Sequence, residues 1–264
     1  AMFQTGGDSL VKGVENLAKD LTRGHGALAI SQTDLDAYKV GENVATTPGK
    51  VVFRNRVFEL IQYTPTTETV HEVPLLIFPP WINKFYILDL QPKNSMIKWL
   101  LDQGHTVFLV SWVNPSEEMA DVGFEDYMRE GTFAAVEAAT KAANVEHVNT
   151  VGYCVGGTLL AAALAHMAKT GDTRIQSATF FASQADFAAA GDLLIFSDDA
   201  GIEFLEGKMD QAGGVLDAQT MADTFNSLRS NDLIWNYVVD NYYIGRQPPP
   251  FDLLYWNADQ TRMP

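Results

Sequence analysis

Short apolar runs alternate along the chain with longer segments of helical periodicity. Two apolar runs come first, joined by polar residues 54–56, and this pattern predicts an antiparallel hairpin over 51–63. Four later runs are mostly apolar throughout, which is typical of parallel strands buried on both faces. These runs span residues 73–78, 106–112, 148–153 and 175–181.

Helical periodicity fills the gaps between these runs. Segments 94–103 and 124–143 carry apolar residues three and four positions apart, as an amphipathic helix does. A hairpin followed by alternating strands and helices predicts the α/β class, with a mostly parallel, doubly wound sheet. Ligands of such sheets bind outside the carboxyl ends of the strands, so we expect any site at that edge.

The alternation stops after residue 187, which suggests three parts. We predict a peripheral N-terminal arm over 1–48, an α/β core over 49–187 and a cap or lid over 188–264. The arm has a short amphipathic stretch followed by polar, Gly-rich sequence, so we expect it to pack rather than to carry chemistry.

Composition narrows the class of protein. The chain has 264 residues, 47% of them hydrophobic, and this is enough for a globular core. A net charge of −15 argues against a nucleic-acid partner, because such binding rests on clustered cations. The single cysteine excludes an intramolecular disulfide, and no Cys or His cluster indicates a metal site.

The chain has no apolar stretch near the roughly 18 residues that a transmembrane helix requires. With no secretory signal pattern and one cysteine, we expect a cytoplasmic protein. The chain begins Ala1-Met2 rather than with an initiator methionine, so we expect a piece of a longer protein.

The strongest motif is Gly-Tyr-Cys-Val-Gly-Gly over residues 152–157, between an apolar run and a helical run. A tight strand-to-helix turn needs small neighbours on both sides, and Gly152 and Gly156 supply them. Such a turn would present the Cys154 thiol at a helix N-terminus that favours the thiolate, with the Val155 N–H facing a developing oxyanion. We predict a nucleophile elbow with Cys154 catalytic; the alternative is a buried structural cysteine.

Acyl transfer at such an elbow uses a second oxyanion donor from the loop after the third strand. The backbone N–H of Ile82 or of Asn83 could supply it, and the sequence does not choose between them. The alternative is that the preceding Pro79-Pro80 pair only terminates the strand.

A general base is harder to place. Three of the five histidines precede their strands and therefore belong at the edge opposite the elbow: His71, His105 and His147. His166 lies twelve residues beyond Cys154 on one helix, about 18 Å along its axis, and His25 is in the arm. Asp186 follows the last strand and could be an acid, although a loop role is favoured. We therefore predict that the base is absent from this chain.

Four blocks in order resemble the class I poly(3-hydroxyalkanoate) synthases, over nearly the whole chain. They are residues 152–157, 79–90, 104–112, and 231–239 with 251–257. The resemblance implies an α/β-hydrolase fold with a cap or lid insertion. It also implies that the C-terminal strands of that fold, and the catalytic Asp and His of the family, are missing from this chain.

The resemblance further implies an acyltransferase that polymerises (R)-3-hydroxyacyl-CoA, releases CoA and grows a polyester on the elbow cysteine. Cys154 matches that cysteine, and the oxyanion donors match the Val155 N–H and the loop of Ile82 and Asn83. Asp89 matches a supporting family aspartate. No cofactor is implied, because the CoA thioester is the substrate.

Family members are homodimers that associate with the surface of polymer granules, so the resemblance implies these partners too. Exposed aromatic residues such as Trp256 are candidates for contact with the polymer or a second subunit; the alternative for Trp256 is ordinary packing within the cap. We expect the chain alone not to turn over, while its thiol stays open to alkylation. The alternatives are a cysteine-dependent α/β hydrolase that releases a free acid, and an inactive fragment that binds granules or dimerises.

Overall fold

A computed structural model describes residues 3–191, 194 and 198–264 of the protein. Its strands form one six-stranded sheet in the order β1-β2-β4-β3-β5-β6. The strands are β1 (Gly49–Arg54), β2 (Phe58–Tyr63), β3 (Leu75–Phe78), β4 (Val107–Trp112), β5 (Val148–Tyr153) and β6 (Ile175–Phe181).

The pairing of the strands confirms the predicted hairpin and the mostly parallel sheet. Strands β1, β2 and β4 pair antiparallel, whereas β4, β3, β5 and β6 pair parallel. Phe78 of β3 pairs with Gly152 of β5, and Tyr153 pairs with Phe181 of β6. The carboxyl ends of these three strands therefore meet at one edge of the sheet.

Helices occupy the connections and most of the C-terminal region. The described helices are Asp8–Arg23, Met96–Asp102, 124–143, Val155–Thr170, Asp199–Gln211, Ala218–Leu228, 231–244 and Asp252–Ala258. The stretch 124–143 has a π-helical section over Tyr127–Phe133, and short 3₁₀ turns lie at Leu35–Ala37, Phe85–Leu88, Pro92–Asn94 and Glu117–Met119. The helix Val155–Thr170 is called the elbow helix below.

The sheet buries apolar side chains on both faces. Leu76 and Ile77 are adjacent in β3 and belong to different buried clusters, because successive strand residues point to opposite faces. Leu76 packs with Leu160 of the elbow helix on one face, and Ile77 packs with Leu101 on the other. Helices on both faces of a parallel sheet are the doubly wound arrangement that the alternation predicted.

Strand β6 departs from the predicted burial on both faces. Its position along the chain matches the prediction, but most of its side chains are exposed, and Phe180 is 44% exposed. In the described part of the chain β6 pairs only with β5, so its outer edge faces solvent. The polar residues Gln176, Ser177 and Thr179 agree with that exposure. Burial on both faces is wrong for this strand.

The arm helix Asp8–Arg23 docks through its polar side. Gly13 faces the carbonyl of Tyr242 so closely that a Cβ there would lie under 3.0 Å from it. Tyr242 Oη donates to Asp20 Oδ2 at 2.6 Å, while the neighbouring apolar residues Leu10 and Val14 are 51% and 60% exposed.

The division into arm, core and cap stays a prediction. The sheet lies between residues 49 and 181, and the described residues after it are mainly helical. Residues 1 and 2 of the predicted arm, and 192, 193 and 195–197 of the predicted cap, lie outside the described residues. Among the helices described, none combines the length and apolar character needed to cross a membrane.

Candidate active site

Cys154 stands in a strained backbone conformation directly after β5. Its φ and ψ are 52° and −127°, a region that L-residues rarely adopt. The surrounding structure holds this geometry, because the Cys154 N–H donates to the Phe181 carbonyl at 2.9 Å and the Cys154 carbonyl accepts from Gly157 N–H at 2.9 Å. The first residue of the elbow helix follows at once, so the predicted strand-to-helix turn is present.

The glycines around the turn have no room for a side chain. A Cβ on Gly152 would lie under 3.0 Å from Gly157, and one on Gly156 would lie under 3.0 Å from the carbonyl oxygens of Phe78 and Pro79. The elbow therefore packs directly against the residues that leave β3. This contact places the start of the loop that contains Ile82 and Asn83 beside the start of the elbow helix.

Ser183 belongs to the elbow, and sequence reasoning missed it. Its Oγ lies 3.0 Å from the Cys154 carbonyl oxygen and 3.1 Å from that of Phe181. A Cβ on Gly157 would collide with the same hydroxyl. The available signal was its position, since Ser183 comes two residues after the carboxyl end of β6, at the edge where parallel strands place their functional residues.

Cys154 is half-buried. Within the described part of the chain, the Cys154 thiol makes no hydrogen bond, and the Val155 N–H at the start of the elbow helix donates to no protein group. The first N–H groups of a helix favour negative charge nearby. Burial, and then the charge of Cys154, raises the pKa of the neighbouring Tyr153 hydroxyl, so that hydroxyl is neutral at pH 7.

The loop after β3 is held from the sheet side by aromatic packing. Trp112 Nε1 donates to the Pro79 carbonyl at 2.7 Å. The Trp81 ring stacks on Tyr127 with centroids 4.9 Å apart, and burial raises the pKa of Tyr127 to about 12. Tyr127 lies in the π-helical section, so that widened turn supplies the surface on which the loop rests.

The same loop is held from its other side by residues 256–261. Thr261 Oγ1 donates to the Trp81 carbonyl at 2.8 Å, and Trp256 Nε1 donates to the Lys84 carbonyl at 2.8 Å. Asn83 Nδ2 donates to Gln260 Oε1 at 3.2 Å. Trp256 is only 9% exposed, so the expectation that it is an exposed contact for polymer or a second subunit is wrong.

Asp89 is buried and forms hydrogen bonds to two separate segments of the chain. It is 2% exposed, and its Oδ1 accepts from Thr47 Oγ1 and from Ser95 Oγ, each at 2.6 Å. Burial, and then the charge of Asp89, raises the pKa of Tyr63. These contacts join the end of the arm to the β3–β4 connection, and a supporting role in chemistry stays a prediction.

Three histidines lie at the amino ends of the parallel strands, as predicted. His71 precedes β3 and His105 precedes β4, and their rings stand 4.8 Å apart. His147 precedes β5, and its Nδ1 lies 3.1 Å from the carbonyl of Thr173, which precedes β6. Burial, and then the charge of His71, lowers the pKa of His105.

The other candidates for acid and base do not approach the thiol through any described contact. The His166 ring packs against Phe133 with centroids 5.4 Å apart, and Asp186 Oδ1 accepts from the Ala188 N–H at 2.9 Å, which is a loop role. Among the residues described, no group of three or more His, Cys, Asp or Glu could hold a metal ion.

Comparison with known proteins places these features in context. Residues 1–100 match the family model "Poly-beta-hydroxybutyrate polymerase (PhaC) N-terminus", and residues 73–263 match "alpha/beta hydrolase fold". The chain is 55% identical to the poly(3-hydroxyalkanoate) polymerase of Methylorubrum extorquens over 262 residues, 99% of this chain and 43% of that one.

One further curated relative and one solved structure are similar to the chain, with very different sequence identities. The poly(3-hydroxyalkanoate) polymerase subunit PhaC of Cupriavidus necator is 46% identical, over 100% of this chain and 45% of its own length. The crystal structure of bromoperoxidase from Bacillus anthracis is 14% identical with a TM-score of 0.42, over 81% of this chain and 74% of that one. The chain spans less than half the length of both curated relatives.

Proposed function

We propose that this chain, which belongs to the α/β hydrolase fold family and is homologous to the poly(3-hydroxyalkanoate) polymerases, carries the cysteine that accepts the acyl group in polyester synthesis. The observation that carries the proposal is Cys154, held at φ 52° between β5 and the elbow helix. Surrounding structure maintains such strain most often where function uses it.

The proposed substrate is an (R)-3-hydroxyacyl-CoA. The Cys154 thiol loses its proton to solvent and its sulfur attacks the thioester carbonyl. A new carbon–sulfur bond forms, the carbon–sulfur bond to CoA breaks, and CoA leaves as a thiolate that takes a proton from solvent. The Val155 N–H and an N–H of Ile82 or Asn83 stabilise the oxyanion that develops in between. The 3-hydroxyl of a second hydroxyacyl-CoA then attacks the acyl-enzyme: an ester bond forms, the bond to the Cys154 sulfur breaks, and that sulfur leaves as a thiolate while the hydroxyl proton passes to solvent. The Cys154 thiolate then attacks the CoA thioester of the lengthened unit and releases its CoA, so the longer chain is again bound to the cysteine.

Sustained turnover requires a base that deprotonates the thiol and then the incoming hydroxyl. In the described structure the histidines nearest in sequence to Cys154 are His147, at the amino end of β5, and His166, about 18 Å along the elbow helix. We therefore propose that this chain by itself accepts an acyl group and does not turn over.

The remaining family properties are proposals of the same kind. They are the arm, core and cap division at 1–48, 49–187 and 188–264, a supporting role for Asp89, a homodimer, a cytoplasmic location and association with the granule surface. Homology to the polymerases supports each of them.

The test is acylation of the purified chain by (R)-3-hydroxybutyryl-CoA, followed by intact-mass measurement and CoA release. We expect a hydroxyacyl adduct on Cys154, no more than about one CoA released per chain, and neither signal in Cys154→Ala. Many CoA released with free acid would instead support the cysteine-dependent hydrolase. A thiol that iodoacetamide alkylates but no hydroxyacyl-CoA acylates would contradict the proposal and favour the inactive fragment.

A further inference from the structure

Residues 256–261 hold the loop 81–84 although they are 172 to 180 positions away in the chain. The contact at Thr261 is the most enclosed of the three, since Thr261 is 2% exposed and its partner Trp81 is 7% exposed. Water has little access to a carbonyl in that position. The Thr261 hydroxyl is therefore the group that satisfies the Trp81 carbonyl.

The geometry of the peptide unit links the direction of the Trp81 carbonyl to the direction of the N–H of the next residue. The Trp81 carbonyl and the Ile82 N–H belong to one planar unit, and in a trans peptide they point in opposite directions. The structure contains no cis peptide bond among the described residues. Whatever fixes the Trp81 carbonyl toward Thr261 therefore fixes the Ile82 N–H away from Thr261.

The start of the same loop is fixed against the elbow. Gly156 of the elbow helix leaves no room for a Cβ beside the Phe78 and Pro79 carbonyls, and Trp112 holds the Pro79 carbonyl. Ile82 thus follows a segment that is pinned at residue 79 by the sheet and at residue 81 by Thr261.

We infer that Thr261 is a positioning residue for acyl transfer: its hydroxyl sets the direction of the Ile82 N–H, one of the two candidate oxyanion donors. The inference rests on the proposed function and names which peptide of the loop is oriented. Oxyanion donors act only when they are aimed at the oxygen as it becomes charged, so losing the orientation slows the step.

The test compares two reactions of the same thiol in the 264-residue chain. Acylation by (R)-3-hydroxybutyryl-CoA develops an oxyanion, whereas alkylation by iodoacetamide does not. We expect Thr261→Val to slow single-turnover acylation by about tenfold or more, below the effect of deleting a donor outright, and to leave alkylation within about twofold. Thr261→Ser should restore acylation.

Two variants serve as matched controls. Trp256→Phe removes a bond of equal length from the same segment, but that bond orients the Lys84–Phe85 peptide, so acylation should change far less. Thr150→Val removes a buried threonine hydroxyl that bonds the Ser177 carbonyl at 3.0 Å, within the sheet. If Thr261→Val does not fold, Thr261→Ala makes the same comparison with a smaller side chain.

The outcomes separate the inference from its premise. Wild-type acylation rates in Thr261→Val, or an equal loss of acylation and alkylation, would overturn the positioning role and leave the proposed function standing. Absence of any acylation in the unmodified chain, with alkylation intact, would overturn the proposed function and the inference with it.

Discussion

The two ends of strand β5 carry a histidine and a cysteine, and their surroundings differ sharply. His147 precedes the strand, is half-buried and bonds to the Thr173 carbonyl. Cys154 follows it, is strained, and is packed among glycines with no room for a Cβ. Seven positions in the sequence become about 20 Å in space, because a strand rises about 3.3 Å per residue.

The contrast teaches that the edge of the sheet, not distance along the sequence, decides which residues can act together. A histidine and a cysteine close in sequence suggest a catalytic pair, but an intervening strand sends them to opposite edges. The amino edge holds the titratable rings, and the carboxyl edge holds close backbone packing. Substitutions should therefore act differently at the two edges.

The largest expected difference concerns glycines. Gly156→Ala should destabilise the chain by about 3 kcal/mol or more, because a Cβ there meets two backbone carbonyls that cannot move independently. Gly104→Ala at the amino edge has open space, with no atom nearer than 3.7 Å, and a φ of +83°. It should cost only about 1 to 2 kcal/mol, the usual cost of a left-handed alanine.

Urea unfolding of both glycine variants measures this difference. Equal losses of stability at the two positions would contradict the contrast between a packed edge and an open one. A smaller loss in Gly156→Ala than in Gly104→Ala would show that the elbow can move away from the exit of β3.

The next largest effect concerns backbone strain at Cys154. Cys154→Gly should be more stable than Cys154→Ala by about 1 kcal/mol, because glycine adopts φ 52° without strain, and part of that gain is offset by its chain entropy. Within the elbow helix the order should reverse, with Ala161→Gly destabilising by about 1 kcal/mol. Thermal unfolding of the variants checks the sign, and a Cys154→Gly less stable than Cys154→Ala would contradict the strain.

The smallest effect belongs to the amino edge. The pKa of His105 is lowered by burial and by His71, so between the folded and unfolded values the unfolded chain binds more protons. Stability should therefore fall as the pH drops through about 6.5, the unfolded value. The urea midpoint of the chain should fall more steeply below that pH than the midpoint of His105→Asn, which lacks the titrating ring. Parallel profiles of the two proteins would contradict this.

Local patterns were enough to predict most of the secondary structure. Strands β5 and β6 lie where the apolar runs placed them, and the elbow turn follows from its glycines. These elements depend on residues near one another in sequence. The mostly parallel sheet with its antiparallel hairpin also follows from the alternation of strand and helix.

Contacts between distant residues were beyond the sequence patterns. The apolar residues of β6 did not reveal that its outer edge faces solvent. The burial of Trp256 could not be predicted, because its partner, the Lys84 carbonyl, lies 172 residues away in the sequence. Ser183 and Thr261 carry no motif, since a single hydroxyl can bond to many carbonyls. Their roles depend on tertiary packing.

The docking of the arm helix has a thermodynamic consequence. Heat-capacity changes come mainly from exposing apolar surface, and polar surface contributes with the opposite sign. The arm buries Ser9, Gly13 and Asp20 while Leu10 and Val14 are already half in solvent. Release of the arm should therefore have a small heat-capacity change and a nearly straight van't Hoff line, in contrast to the strongly curved transition of the sheet.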